Sequence, residues 1–339
     1  MNDKNIWSLI AKYRIHIMGA AALWVYAFHE WSTLFLQWGA LGTALRFVIG
    51  GGFCGVDIFL LLSGMGLTHA IDKYSLGEFY KRRFLRVLLP CVLTLLGMML
   101  LQGWDFLYFL KVVSGYSFYF ENMYTALWFS FAILALYLVF PLYYALFRRA
   151  SRKVLFTALM LLAWYGASVA LIGTLREDLY GFTNRIPIFL VGILCGWLSQ
   201  NKRLVFTWKH TLGCVAALMT GFVLAFLVRY QGLYLLLPDS SSCVPNFLMA
   251  IGAVLLLPQI LNFLEKHCVK LAKCVLCILA FYGTMSFEFY CIQEMAPNFG
   301  WDFLPAVPVA LVYVISFAAM SAMSWCFAKA CGWLAAKLK

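Results

Sequence analysis

The sequence predicts an all-α fold, a polytopic transmembrane helical bundle of about ten spans with both termini on the cytoplasmic side. Three observations carry this expectation: a composition more apolar than that of soluble domains, a series of apolar stretches of membrane length, and basic residues gathered into alternate loops. Of the 339 residues, 64% are hydrophobic and 12% are charged, and the mean hydropathy is +0.86. A chain of this kind cannot hide its apolar surface in one globule and still show an ordinary polar exterior, so the bilayer is its solvent.

A helix rising ~1.5 Å per residue needs about 20 apolar residues to cross a ~30 Å hydrocarbon layer. Stretches of that kind run over 15–36, 47–71, 84–103, 124–147, 155–175, 180–200, 211–228, 244–264, 274–295 and 305–330. The piece 106–120 is cut by Lys111 and Gly115 and is too short to cross, so it is expected to be interfacial or re-entrant. Span 1 is too long for a removable signal peptide, and no small-residue cleavage site follows it. Residues 1–339 read as a single integral-membrane domain. Its loops are short, so any chemistry has to sit among the helices.

A net charge of +12 would suit a nucleic-acid binder, but its distribution argues otherwise. With the N-terminus inside, every basic residue except Arg46, Lys111, Arg176, Arg185 and Arg229 falls on the inner side. That is the positive-inside bias, so the expected contact is membrane lipid and no nucleic-acid partner. Of the 11 cysteines, Cys54, Cys91, Cys195, Cys214, Cys277, Cys291 and Cys326 lie within spans, where cysteine packs as a small apolar residue. Cys274 and Cys277 form a CxxC on one helix without a second pair, so no metal is expected.

Ionisable groups at membrane depth are expensive and mark function. Four stand out: His29, Asp57, Arg185 and Glu288. Each lies fourteen or fifteen residues from the inner end of its span, roughly 21 Å along a straight helix, so the four are expected to form one layer in the outer half of the bilayer. Pairing of Asp with Arg and of Glu with His would serve merely to join helices. A water-filled cavity open to the outer face accounts for the imidazole as well, because histidine exchanges protons near neutrality. Glu30 points about 100° away from its neighbour His29 and is expected at the outer interface.

At the inner mouth of span 3 stands the run Glu78-Phe-Tyr-Lys-Arg-Arg-Phe-Leu-Arg86, followed by Pro90. Arg83 and Arg86 share a helical face, and guanidinium forks match phosphate oxygens. An anionic cytosolic ligand and simple charge retention against anionic lipid both fit this run.

With these residues in place, the chain resembles the membrane-bound acyltransferase 3 family, which includes bacterial O-acyltransferases of surface polysaccharides and sugars. Tyr26-Ala-Phe-His29 is similar to the family's first-helix histidine motif, Gly55-Val-Asp-Ile-Phe59 with Ser63-Gly64 to its second-helix signature, and Phe79 to Arg86 with Pro90 to its basic signature. Leu127-Trp128-Phe129 with Tyr137 and Pro141, Arg185-Ile-Pro187, and Gly283 with Ser286-Phe-Glu-Phe-Tyr290 add weaker support. Two positions depart from the pattern. Met18 stands where the family commonly has an arginine, with Arg14 one turn earlier, and Gln293 stands where the ninth-span signature usually closes with histidine.

The resemblance implies transfer of an acyl group, acetyl by preference, from cytosolic acyl-CoA to a hydroxyl of a cell-surface or lipid-linked glycan, in a bacterial cytoplasmic membrane. Acetyl-CoA would be the donor substrate, held by Arg82, Arg83 and Arg86 with Ser63 and Tyr80. Its pantetheine arm would thread between spans 1, 2 and 3 past small residues such as Gly19, Gly51, Gly52, Gly55 and Gly64, although small residues also mark close helix packing. His29 would act as general base with Asp57 or Glu288 orienting it and Arg185 stabilising the oxyanion, and an acyl-histidine is the rival route. Trp128, Ser286, Tyr290 and Gln293 would meet the acceptor. A non-catalytic transporter or flippase for a lipid-linked glycan would use a similar polar layer, but no inverted repeat or paired broken helix is visible in the sequence. A ligand-binding sensor without turnover is the third reading.

Overall fold

A computed structural model describes residues 5–31, 34–36, 38–121, 127–171, 179–233, 243–296 and 309–338. Among them the regular structure is helical, apart from a single antiparallel bridge between Asn5 and Val205. The first helix, α1 (Ile6–Glu30), is followed by α2 (Gly39–Gly50), which continues through a 3-10 turn (Gly51–Cys54) into α3 (Gly55–Ala70). Next come α4 (Leu76–Gln102), two short helices α5 (Phe106–Val113) and α6 (Tyr116–Phe120), α7 (Trp128–Arg149) and α8 (Lys153–Ala170). The second half holds α9 (Tyr180–Thr183), α10 (Ile186–Asn201), α11 (Trp208–Gln231), α12 (Cys243–His267), α13 (Val269–Thr284), α14 (Ser286–Met295) and α15 (Val309–Lys337).

Local chemistry sets several of these boundaries. Ser75 caps α4 by accepting from the Glu78 N–H, and Gly103 ends it in the left-handed region at φ +66°, a conformation that costs glycine little. Asp105 caps α5 in the same way, accepting from the Tyr108 N–H. Neither α5 nor α6 is long enough to cross a bilayer. Lys111, just outside the spanning helices, bonds Glu121 at 2.6 Å, and this bond with that from Ser117 holds the Glu121 carboxyl below its ordinary range.

Among the described residues, eight helices are long and apolar enough to cross a membrane, and α13 with α14 makes a ninth if that bent pair is one span. The helix α1 has the length but not the composition, since it carries Lys12, Arg14, His16, His29 and Glu30. It is shielded by neighbours instead, packing against α3, α12, α13 and α14, with Tyr13, Ile17, Ala21 and Tyr26 each 1% exposed. A helix that meets protein on most sides need not be apolar all round. Elsewhere α8, α11 and α15 turn leucines, valines and aromatic rings outward, as lipid-facing helices do.

Two spans depart from the straight rods the sequence suggested. The second runs without a sharp break from Gly39 to Lys73, 35 residues instead of the 25 expected. The ninth is broken at Met285, where α14 leaves the axis of α13 by 68°. Apolar pattern alone does not show this break, because a bend between two apolar segments leaves hydropathy unchanged.

Small residues join the central helices backbone to backbone. A Cβ at Gly19 would lie 1.9 Å from the Leu279 carbonyl oxygen, and one at Gly283 would lie 1.9 Å from that of Ile15. Gly64 and Gly192 lock α3 to α10 in the same manner, with Phe189 and Leu61 carbonyl oxygens at 2.6 and 2.4 Å from the would-be Cβ atoms. Gly52 and Gly55 likewise face the Trp24 and Ala21 carbonyls of α1. Close packing, not an open path, is therefore the role of these glycines. Gly283→Leu should cost at least the ~1–3 kcal/mol of ordinary overpacking, because backbone must move. Gly166→Ala on α8, with nothing within 4 Å of the added Cβ among the described residues, should be neutral or stabilising by about 0.5–1 kcal/mol. Thermal unfolding of the two detergent-solubilised variants checks the contrast.

Candidate active site

The packing of α3 on α10 brings Asp57, in the first turn of α3, to Arg185, the residue just before α10. Both are 2% exposed, with Arg185 Nε 3.6 Å from Asp57 Oδ2. The guanidinium lies 4.4 Å from the Phe53 ring centroid and 4.9 Å from that of Trp128, and Nη1 donates to the Gly181 carbonyl. Arg185 Nε and Nη2 and Asp57 Oδ2 have no hydrogen-bond partner among the described residues. The charges are thus matched, but their hydrogen-bonding capacity is only part used.

His29 stands in the last turn of α1, exposed, with its ring 5.0 Å from that of Phe28. Phe28 in turn lies 5.5 Å from Phe53, the ring beneath Arg185. Imidazole and ion pair are therefore linked through two aromatic rings. Trp128, expected to meet the acceptor, stands over Arg185.

On the side of α3 away from its Asp57 end lies a basin of about 1630 Å³, lined among others by Arg14, Tyr74, Arg82, Arg83, Arg86 and Glu288. Arg82 is held by Glu78 at 2.6 Å and covers the Tyr74 ring at 4.3 Å. Arg14 donates to the Leu62 carbonyl oxygen at 2.8 Å. A second cavity of about 730 Å³ adjoins the basin, and Met18, Ser63, Arg86 and Tyr137 line both. Its wall also includes Ser286, Tyr290 and Gln293 of α14, and it reaches Val25, one helical turn before His29, and Val56, next to Asp57. Gln293 is 3% exposed and its Nε2 has no partner among the described residues.

Several sequence expectations change on these positions. Glu288 lines the arginine basin, and the bend at Met285 takes α14 off the straight axis on which its height was counted, so that count no longer places it in a layer with His29, Asp57 and Arg185. Its Oε2 is buried without a partner among the described residues. Asp57 and Arg185 line neither the basin nor the adjoining cavity, being sealed under Phe53 and Trp128, so neither is placed to touch a molecule there. Tyr80 turns from the basin and donates to the Leu138 carbonyl oxygen of α7 at 2.9 Å. Tyr74, four residues before Glu78, takes a place on the wall instead, with no signal in the apolar pattern to single it out. Ser286, Tyr290 and Gln293 line the second cavity, whose wall shares Met18, Ser63, Arg86 and Tyr137 with the basin.

Removing one partner of a buried ion pair leaves the other charge stranded, at about 3–5 kcal/mol. Asp57→Asn should therefore lower the thermal midpoint of the purified protein well below that of the double variant Asp57→Asn/Arg185→Gln, and equal midpoints would show that the pair is not coupled.

Residues 9–329, nearly the whole chain, match a family model described as an acyltransferase domain. The curated proteins and the solved structures compared with the chain gave no match. The long apolar helices make this a multi-pass membrane protein and the family makes it an acyltransferase: the chain belongs to the acyltransferase 3 family.

Proposed function

We propose that the protein transfers an acyl group, acetyl by preference, from cytosolic acyl-CoA to a hydroxyl of a cell-surface or lipid-linked glycan at the outer face of a bacterial cytoplasmic membrane. The observation that carries this reading is the shared wall of basin and cavity. Arg86, Ser63, Met18 and Tyr137 belong to both, so a ligand with phosphates among Arg14, Arg82, Arg83 and Arg86 has a path leading toward the His29 end of α1. Three guanidinium groups on one helix and a fourth on its neighbour suit a polyphosphate, and a narrow, largely apolar cavity suits the thin arm that carries a thioester.

In this reaction His29 takes the proton from the sugar hydroxyl, whose oxygen attacks the thioester carbonyl. The carbon–sulfur bond breaks, and the imidazolium returns the proton to the leaving thiolate, so ester and free coenzyme A are the products. The oxyanion needs a donor that faces the cavity, and the unpartnered Nε2 of Gln293 is such a group, whereas Arg185 lies outside it. Asp57 and Arg185 then act as a fixed charge pair that supports Phe53, Phe28 and so His29. A glutamine can donate at any pH, which fits its place where the family commonly has histidine.

Incubation of membranes with labelled acetyl-CoA, followed by mass spectrometry of envelope glycans with and without the intact gene, tests the whole reading; absence of any gene-dependent label on glycans refutes it. In purified protein His29→Ala should lower turnover by at least about 100-fold, the scale of a lost general base, while coenzyme A binding by calorimetry stays unchanged. Arg83→Ala and Arg86→Ala should each weaken coenzyme A binding about tenfold, the scale of one charge-assisted contact, and unchanged affinity would assign these arginines to lipid or topology. Acid-quenched protein that retains label on His29 would favour the acyl-histidine route over direct transfer.

A further inference from the structure

Another cavity, of about 840 Å³, lies between α2, α11 and α12. Rings and short apolar groups line it, with Phe47, Phe222, Ala225 and Met249 along its length and Phe28 and Phe53 among its lining residues. The polar side chains on its wall are Arg229, in the last turn of α11, and the buried Asn246. Gly50 gives the arginine its place: a Cβ there would stand 3.0 Å from Arg229 Nη1, so the guanidinium rests on bare backbone. Among the described residues no carboxylate pairs with Arg229.

We propose that this cavity holds the lipid part of the acceptor, an isoprenoid chain lying along Phe47, Phe222 and Met249 with its phosphate on Arg229. The proposal rests on the acyl-transfer reading and adds the chemical class of the acceptor. A free sugar needs several hydrogen-bonding groups around it, and this wall supplies one guanidinium and one amide. A long apolar chain that ends in a single anionic group matches that distribution, because the rings take the chain at no cost in unpaired polar groups and the arginine takes the charge. Position adds a second argument. Phe28 and Phe53 are the two rings that join His29 to Arg185, so a lipid seated here ends beside the proposed base. Arg229 and His29 both occupy the last turn of their helices, the ends that the topology expected from the basic loops puts at the outer face, where a lipid-linked sugar would present its hydroxyl.

The test uses the full chain in phosphatidylcholine nanodiscs with farnesyl phosphate carrying a diazirine at the end of its tail. Irradiation and peptide mass spectrometry should place label on α2, α11 or α12, and unlabelled farnesyl phosphate should compete while inorganic phosphate, farnesol and phosphatidylglycerol do not. Arg229→Gln, which removes the charge from an exposed side chain, and Ala225→Trp, which fills the lumen, should each lower labelling about tenfold. Coenzyme A binding and the thermal midpoint should stay those of the parent. Equal labelling in both variants, equal competition by phosphatidylglycerol, or label confined to other helices overturns the proposal. Site-specific labelling without transfer to any sugar would leave the lipid site standing and remove the acyl-transfer reading, whereas transfer to a soluble glycan with no labelling at this site would do the reverse.

Discussion

The arrangement of the helix ends around His29 depends on one buried ion pair. Asp57 and Arg185 are both removed from solvent in a chain whose surroundings are hydrocarbon, and neither charge is tolerable there alone. Holding them 3.6 Å apart requires α3 and the start of α10 to keep one register, which the backbone contacts at Gly64 and Gly192 enforce. Phe53 and Trp128 close over the guanidinium, and through Phe53 and Phe28 the pair fixes where the end of α1 can lie. The pair is an anchor whose energetic value lies in what it positions.

A related constraint shapes α1. It carries charged or titratable groups near both ends, Lys12 and Arg14 at one and His29 and Glu30 at the other, and such a helix would be a poor lipid-facing span. Surrounding it with α3, α12, α13 and α14 lets it bear polar groups at two depths of one membrane. The same enclosure leaves space for cavities along its flank, which is where the basin and its adjoining cavity are found. The reaction proposed above, which joins a cytosolic donor to an outer-face acceptor, would use a helix of this kind, polar at both ends and hidden between them.

Helical class and most helix positions were legible in the sequence, because membrane length and positive-inside bias are properties of composition. The family was legible from the His29, Asp57 and Arg82 to Arg86 motifs, each a short run whose residue types are costly in a membrane. What was not legible is geometric. Glu288 was assigned a height by counting along a straight helix, and the break at Met285 voids that count. Tyr80 was grouped with the arginines because it adjoins them in sequence, but it faces α7, and Tyr74 reaches the basin from outside the motif. The Asp57 and Arg185 pairing was one of the alternatives visible beforehand; that the pair would be sealed from the cavities depends on the rotamers of Phe53 and Trp128, which no motif encodes.

Arg14 shows how a family pattern can bend without breaking. Its α-carbon lies one turn below the position at which Met18 interrupts the motif, yet both side chains reach the wall of the same basin. The reach is possible because Gly66 opposite has no side chain: a Cβ there would sit 2.9 Å from Arg14 Nη2. A long cation laid across a bare stretch of neighbouring backbone can thus serve a site from more than one rung of the helix. Any side chain at position 66 would meet the Arg14 guanidinium, so the place of that cation on the basin wall is set as much by the residue opposite as by its own rung on α1.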